Sequence, residues 1–202
     1  MASASSRVFS AASRVFSAAS RIFSWVFVSS DSPVEGGHLK ELQRLRTEGF
    51  KLPENICTTT AKAGHLKVLQ WLRTEGFKLP ETICTTAAKA GHLKMLQWLR
   101  TEGCPWNEST CHAAARNGHL EVLQWLRANG CPWWDASITT TAAIGGHIEV
   151  LEWLKTNGCT FHEDAHTFAY RCNNVEVIQW LTVNNCPRNL TMTPEKSYFE
   201  IQ

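Results

Sequence analysis

The sequence predicts an all-α fold, an α-solenoid of stacked helix–turn–helix repeats, and three observations support that prediction. The phrase GHLEVLQWLRANG at 118–130 recurs along the chain at a spacing of 27 residues. Its apolar residues follow helical spacing, and glycine stands at both of its ends. A second short segment, STCHAAARN at 109–117, precedes it. One such pair of helices cannot bury its apolar face alone, so neighbouring pairs must stack.

The recurring phrase also defines the limits of the repeats. Clear copies begin at residues 64, 91, 118 and 146, a weaker copy begins at 37, and a decayed copy occupies 173–185. The single 28-residue step reflects one additional tryptophan in the pair Trp133–Trp134. We therefore predict a low-complexity segment over 1–32, a repeat array over 33–186 with about five full repeats after an N-terminal half repeat, and a tail over 187–202.

Within each repeat, residue types predict a short helix followed by a longer one. Asn107 or Ser109 can cap the start of the short helix, Gly118 ends that helix, and Gly130 follows the long helix as a C-terminal cap residue. Small alanines in the short helix allow neighbouring helices to approach closely. The apolar stripe of the long helix consists of Val122, Leu123 and Leu126.

The segment STCHAAARNGHLEVLQWLRANG at 109–130 resembles the ankyrin-repeat consensus T-P-L-H-x-A-A-x-x-G-H-x-x-V-V-x-x-L-L-x-x-G. His112 matches the histidine of T-P-L-H, the pair Ala114–Ala115 matches the two alanines, and Gly118–His119 matches the turn. The resemblance extends over residues 34–186. It implies stacked helix pairs that bind other proteins.

Two departures from the ankyrin consensus change what we expect of the connecting loops. The T-P-L-H proline is absent, with Thr110 in its place, and the repeat has 27 residues instead of about 33. The missing residues belong to the loop between repeats, where ankyrin repeats carry a β-hairpin. We therefore expect short turns there, as at 104–106 and 131–133.

The charge distribution gives no electrostatic basis for binding nucleic acid. Three of the 20 basic residues precede the first acid, Asp31, which leaves 17 basic residues against 18 acidic ones in the rest of the chain. A nucleic-acid-binding protein is expected to carry a basic face. No stretch approaches the roughly 20 apolar residues of a membrane-spanning helix. We therefore expect neither nucleic acid nor a membrane as a partner, and we expect a monomer.

The first 30 residues differ in kind from the repeats. The motif SRVFSAA occurs at 6–12 and 13–19, and SRIFSWV follows at 20–26. The segment is rich in Arg and Ser and lacks acidic residues, which is typical of low-complexity extensions and of organellar transit peptides. We expect a cytoplasmic protein, with mitochondrial or plastid import as the alternative if the segment is a transit peptide.

Most of the eight cysteines recur at two positions of the repeat. Phe50 and Phe77 occupy the second position in earlier repeats, and this exchange indicates packing. No CxxC pair occurs, which weakens a zinc interpretation. We interpret the cysteines as reduced thiols in an intracellular compartment, and we predict no cofactor and no metal. The first row is Cys57, Cys84 and Cys111, and the second is Cys104, Cys131, Cys159 and Cys186.

The segment HEDAH at 162–166 matches H-E-x-x-H, the zinc-protease motif. In such a site His162 and His166 would bind zinc and Glu163 would act as the base. The repeat already places a capping residue, a glutamate and a buried residue at these three positions. A further row of histidines, one at each turn, is interpreted as hydrogen-bonding the neighbouring backbone. That row is His38, His65, His92, His119 and His147.

The predicted binding surface consists of the exposed positions of the short helices, because these vary among repeats while the core positions do not. We expect them to line an inner, concave face that is mildly basic and suits an acidic or polar protein segment. Tryptophans on the loops either cover the core edge left by the missing hairpins or anchor a partner. The helix positions are Thr58, Lys62, Thr85, Lys89, His112, Arg116, Thr140, Ile144, Thr167 and Arg171, and the loop positions are Trp106, Trp133 and Trp134.

Together these features predict a protein–protein interaction module, a scaffold or adaptor with no catalytic activity of its own. Two alternatives remain. One is a zinc-dependent hydrolase that uses 162–166, and the other is a fragment of a larger ankyrin protein whose effector domain is missing. The fold does not identify the partner, since binding sites are grafted onto a generic scaffold.

Overall fold

The computed structural model describes residues 37–132 and 135–188 of the 202-residue chain. The predicted segment 1–32 and most of the predicted tail therefore lie outside the described residues, as do Trp133 and Trp134. The structure therefore tests the sequence-based predictions mainly in the repeats.

Eleven α-helices and no β-strand are found in the described residues. They are α1 (Gly37–Thr47), α2 (Ile56–Ala63), α3 (Leu66–Thr74), α4 (Ile83–Lys89), α5 (Leu93–Thr101), α6 (Glu108–Arg116), α7 (Leu120–Ala128), α8 (Ser137–Gly145), α9 (Ile148–Thr156), α10 (Asp164–Arg171) and α11 (Val175–Val183). Even-numbered helices from α2 onward are the first helices of a repeat, and odd-numbered helices are the second. The prediction of a short helix followed by a longer one is confirmed for α2 and α3 (8 and 9 residues), α4 and α5 (7 and 9) and α10 and α11 (8 and 9). It is wrong for the repeats that begin with α6 and α8, in which both helices have 9 residues.

The chain divides into two compact units, with the boundary between Ile83 and Cys84. In the first unit, α3 packs against both α1 and α2. In the second unit the first helices α6, α8 and α10 lie side by side, each packs against its own second helix, and α9 contacts α11. This side-by-side order is the stacking that the repeat pattern predicts.

The core of a repeat uses the predicted positions. In the repeat that begins with α6, each fully buried leucine contributes about 2 kcal/mol to stability. The small alanines leave room for the neighbouring first helices to approach. The buried residues are Cys111, Ala114 and Ala115 of α6 and Val122, Leu123 and Leu126 of α7. The predicted fold class, an all-α arrangement of stacked helix–turn–helix repeats, is confirmed.

Both helices of this repeat end in the same glycine-dependent turn. Gly118 has φ +74° and Gly130 has φ +75°, the left-handed region that glycine adopts without a steric penalty. In the first turn, the amides of Gly118 and His119 donate to the carbonyls of Ala115 and Ala114. In the second turn, the amide of Cys131 donates across the helix end in the same way. The predicted C-terminal caps are confirmed, and the connections between repeats can therefore be short.

The start of α6 and the connection before it also follow the prediction. Asn107 caps α6 through a capping box with Thr110, whose Oγ1 accepts a hydrogen bond of 3.4 Å from the Asn107 amide. Residues 102–107 join α5 to α6 without a strand. Within the described ranges, no helix has both the length and the apolar character needed to cross a membrane.

Candidate functional site

An open groove of about 850 Å³ crosses the second unit where α6 and α8 lie side by side. This volume is within the range of about 300–1,000 Å³ that is usual for binding sites in proteins. Apart from Ala113, every residue that lines it is polar or charged, so the groove suits a polar ligand. The lining residues are Lys89, Glu108, Ser109, His112, Ala113, Arg116, Asn117, Asp135, Ser137 and Thr141.

His112 joins the two helices that form the floor of the groove. Its Nδ1 atom lies 2.8 Å from Thr141 Oγ1, and its Nε2 atom lies 3.3 Å from Ser137 Oγ. Both ring nitrogens of a residue on α6 are therefore engaged by hydroxyl groups on α8. Such a network fixes the imidazole and couples the two repeats.

Asp135 extends this network to the rim of the groove. Ser137 donates to Asp135 Oδ1 through its hydroxyl group, at 2.6 Å, and through its backbone amide, at 3.2 Å. The hydrogen bond from the Ser137 side chain, helped by the charge of His112 when it is protonated, lowers the pKa of Asp135 below its ordinary value. The carboxylate keeps 62% of its side-chain surface exposed, so it can still meet a ligand.

The groove thus contains the residue types of a hydrolytic triad, but their connections differ from those of a triad. Catalysis by such a triad requires a serine whose hydroxyl group donates to one nitrogen of the histidine. It also requires a carboxylate that accepts from the other nitrogen and orients the ring. Here the Ser137 hydroxyl group donates to Asp135, and the other nitrogen of His112 faces Thr141. The serine proton is directed to Asp135 and away from the imidazole, so these hydrogen bonds link the two helices.

The structure separates the predicted binding residues into two classes. The basic side chains Lys62, Lys89, Arg116 and Arg171 are exposed, as predicted. The other six of the ten helix positions are half-buried and not exposed as predicted. These six are Thr58, Thr85, His112, Thr140, Ile144 and Thr167.

Contacts between repeats explain this partial burial. Thr85 Oγ1 lies 3.0 Å from Thr110 Oγ1, a buried hydroxyl group of the next first helix. Thr140 Oγ1 is buried and has no hydrogen-bond partner among the described residues. These threonines serve packing between helices. The groove brings together Lys89, His112 and Arg116 from the predicted set, whereas Thr58 and Lys62 belong to the first unit.

Trp106 is the one loop tryptophan of the predicted set that the structure describes. The guanidinium carbon of Arg100 lies 3.9 Å from the centroid of its ring, and the ring meets Trp125 edge-on at 5.6 Å between centroids. Trp106 is half-buried among these partners, and its predicted role in covering the edge of the core stays a prediction. A contact of Trp106 with a partner stays a prediction, and Trp133 and Trp134 lie outside the described residues.

The turn histidines have the predicted role where their contacts are seen. His119 Nε2 donates to the backbone carbonyl of Lys89 at 3.0 Å, and His147 Nε2 donates to that of Arg116 at 3.1 Å. Each histidine thereby joins its turn to the first helix of the preceding repeat. This structural task uses the Nε2 atom of each ring.

The structure places the residues of the H-E-x-x-H segment in different surroundings. His162 is exposed before the start of α10, where its Nδ1 atom accepts a hydrogen bond of 3.2 Å from the Asp164 amide. His166 is buried inside α10, and burial is the first cause that lowers its pKa. The two zinc ligands of this motif must share one helical face, whereas here His162 precedes the helix and His166 lies within it. Within the described residues, no group of three or more metal-binding side chains is found.

The cysteine rows are packing positions. Cys84, Cys111 and Cys131 are all buried, and the Cys131 thiol donates to the Asn107 carbonyl at 3.4 Å. Burial raises the pKa of Cys84 to about 12. A thiol that stays protonated is a poor nucleophile and a poor metal ligand. All eight cysteines are free thiols, and six of them are buried.

Several residues that line the groove were absent from the predicted set. The acidic pair Glu108 and Asp135 changes the character of the groove most. The sequence predicted a mildly basic face, whereas these two carboxylates give the groove both signs of charge. A signal for Glu108 exists in the sequence, since glutamates recur one repeat apart at this position, as at Glu54 and Glu81. That recurrence indicates a helix start but does not show that the side chain borders a groove.

The comparisons with known proteins agree with this architecture. A family model described as "Ankyrin repeats (many copies)" matches residues 84–127 and 111–154. Among solved structures, a human protein described as "Crystal structure of human ASB11 ankyrin repeat domain" superposes with a TM-score of 0.60 and 20% sequence identity, covering 80% of this chain and 89% of that chain. No curated protein sequence shows a significant match.

Proposed function

We propose that this ankyrin-repeat chain is a protein–protein interaction module without catalytic activity, and that it binds its partner in the groove over α6 and α8. Ankyrin repeats indicate such a module. The single observation that carries the choice of surface is the groove itself, a polar channel of about 850 Å³ whose floor is fixed by the network around His112. A rigid floor lowers the entropy that binding must overcome.

The predicted residues keep different parts in this proposal. Lys89 and Arg116 offer exposed charges at the groove, and His112 holds its floor. We extend the same role, by position in the repeat, to Lys62 in the first unit and to Arg171 at the end of α10. Thr58, Thr85, Thr140, Ile144 and Thr167 support the surface from their half-buried positions.

We also propose that the chain works as a monomer, inside the cell, with another protein and not with nucleic acid or a membrane. The free thiols suit a reducing compartment. The near-balance of charge beyond Asp31 offers no basic face for phosphates. A cytoplasmic location is our proposal, and import into an organelle depends on the residues before 37.

Site-specific photocrosslinking tests the choice of surface. A crosslinking amino acid at Ser109, which is exposed and lines the groove, is expected to form an adduct with the partner in cells. The same amino acid at Gln124, which is exposed on α7, serves as the matched control. Adducts from Gln124 but not from Ser109 would place the binding surface on the second helices and contradict the proposal.

A further inference from the structure

The two edges of the groove carry opposite charges. Glu108 and Asp135 stand at or before the N-terminal ends of α6 and α8, while Lys89 and Arg116 close α4 and α6. A helix rises about 1.5 Å per residue, so the two ends of α6 are separated by about 12 Å. The groove therefore has an acidic edge and a basic edge with a hydroxyl-rich floor between them.

Most of these charges are available to a ligand. Glu108, Lys89 and Arg116 are exposed, and in the described part of the chain none of the three forms an ion pair. Asp135 accepts from Ser137 at Oδ1, which also lies 4.0 Å from His112 Nε2. The order of the signs also matches the helix dipole, with acids at N-terminal ends and bases at C-terminal ends, so the free protein tolerates them unpaired.

A ligand that covers the groove must compensate these charges. Removing an unpaired charge from water is costly, so a neutral or single-sign ligand would leave one edge uncompensated. A ligand with complementary charges instead gains charge-assisted hydrogen bonds at both edges. Electrostatic complementarity of this kind determines specificity more than affinity.

The separation of the two charged edges and the polarity of the floor between them favour an extended segment. In an extended chain, successive side chains point to opposite sides, and the backbone N–H and C=O groups point between them. A segment that lies across α6 and α8 can therefore direct alternate side chains to the two edges. Its backbone groups then face the hydroxyl-bearing floor that includes Ser109 and Thr141.

We propose that the groove binds an extended protein segment in which acidic and basic side chains alternate. The basic side chains pair with Glu108 and Asp135, and the acidic side chains pair with Lys89 and Arg116. This assignment rests on the proposed function and specifies the chemistry of the partner at the same groove. It narrows the sequence-based expectation of an acidic or polar segment, because that expectation did not include the acidic edge.

Binding of synthetic peptides to the full chain, measured by fluorescence anisotropy, tests the assignment. The probe is a peptide of about eight residues in which Lys and Glu alternate. Its control has the same composition, with all Lys residues before all Glu residues, and a third peptide carries Glu only. We expect the alternating peptide to bind about tenfold more tightly than either of the others, since several charge-assisted bonds depend on the order.

Two double variants assign the edges. Glu108→Gln with Asp135→Asn is expected to weaken the alternating peptide about tenfold and to leave the Glu-only peptide unchanged or more tightly bound. Lys89→Gln with Arg116→Gln is expected to weaken both peptides. Circular dichroism checks that each variant remains folded.

The outcomes separate this inference from the proposed function. Equal binding of the alternating and blocked peptides, absence of binding by any peptide, or insensitivity to the acidic-edge variant would overturn the alternating segment. If the Glu-only peptide binds best and depends on Lys89 and Arg116, the groove remains the binding site and only the alternation fails. The Ser109 crosslink tests the proposed function independently of any peptide.

Discussion

The turn of an interior repeat and the turn of the last repeat solve one structural problem with different residues. In the interior repeat, Gly118 adopts φ +74°. The histidine of the following repeat's turn, His147, donates through Nε2 to the carbonyl of Arg116, two residues before Gly118. In the last repeat, Asn173 adopts φ +56°. The side-chain amide nitrogen of Asn174, Nδ2, donates to the backbone carbonyls of Ala143 and Ile144 at 2.9 and 3.0 Å. The backbone geometry is kept although the Gly-His pair is lost.

The properties that both turns keep are a left-handed backbone and a side-chain N–H donor. Asparagine enters the left-handed region more readily than other residues with a side chain, and its amide donates as an imidazole N–H does. The end of α11 shows the same replacement, with Asn185 at φ +52° in the position that Gly130 occupies in the interior repeat. The last repeat has therefore changed its residues and preserved its turns.

The largest expected effect breaks the interior turn. Gly118→Ala puts a side chain on a left-handed backbone and places its Cβ 2.5 Å from the His147 ring. Gly130→Ala puts a side chain on a backbone of nearly the same φ, but its Cβ has nothing within 4 Å. We expect Gly118→Ala to lower the free energy of unfolding by about 3 kcal/mol and Gly130→Ala by about 1 kcal/mol. Urea denaturation measures both. Equal losses would show that close packing against His147 adds nothing.

A smaller effect is expected from the donor of the last turn. Asn174→Ala leaves the carbonyls of Ala143 and Ile144 without this amide donor, and we expect a loss of about 2 kcal/mol in the free energy of unfolding. Asn174→His restores the residue of the interior repeats and should recover part of that loss. Thermal or urea denaturation of the two variants decides the question, and an unaffected Asn174→Ala variant would contradict the equivalence of the two turns.

The left-handed residue of the last turn gives a finer test. Asn173→Ala should lower the free energy of unfolding by about 1 kcal/mol, because alanine resists a positive φ. Asn173→Gly should remain within about 0.5 kcal/mol of the natural chain, since relief of strain is offset by the greater freedom of glycine in the unfolded state. Side-by-side chemical denaturation checks the difference. Identical stabilities of the two variants would mean that this turn does not require the left-handed conformation.

The smallest effect expected is a pH dependence that His166 gives to the last repeat. Burial, followed by the nearby charge of Arg188, lowers the pKa of His166 in the folded chain. The unfolded state then binds the proton more strongly, so the contribution of His166 to stability falls as pH drops below the ordinary histidine pKa of about 6.5. His166→Cys introduces the residue found at Cys84 and Cys111 in the interior repeats. Its stability between pH 7 and pH 5, compared with that of the natural chain by thermal denaturation, should fall less, and an equal fall would exclude His166 as the cause.

Sequence reasoning was sufficient where the task of a residue depends on its own neighbours along the chain. The caps at Asn107, Gly118 and Gly130 and the buried stripe of the second helix follow from steric and hydrophobic rules that act locally. The groove could not be predicted in the same way, because its network joins His112 on one helix to Ser137 and Thr141 on the next. Which side of a threonine faces solvent depends on how closely two helices pack, and this distance is not encoded by spacing along the chain.

The affinity of the crosslinked partner for the full chain, measured with matched variants, tests the proposed function most directly. One variant changes Lys62, Lys89, Arg116 and Arg171 of the first helices to alanine, and its control changes four exposed basic residues of the second helices, namely Lys40, Lys67, Lys94 and Arg127. Both remove the same charge. We predict that the first variant binds the partner at least about tenfold more weakly and that the control stays within about twofold of the natural chain. Equal affinities of the two variants would contradict binding through the first-helix surface.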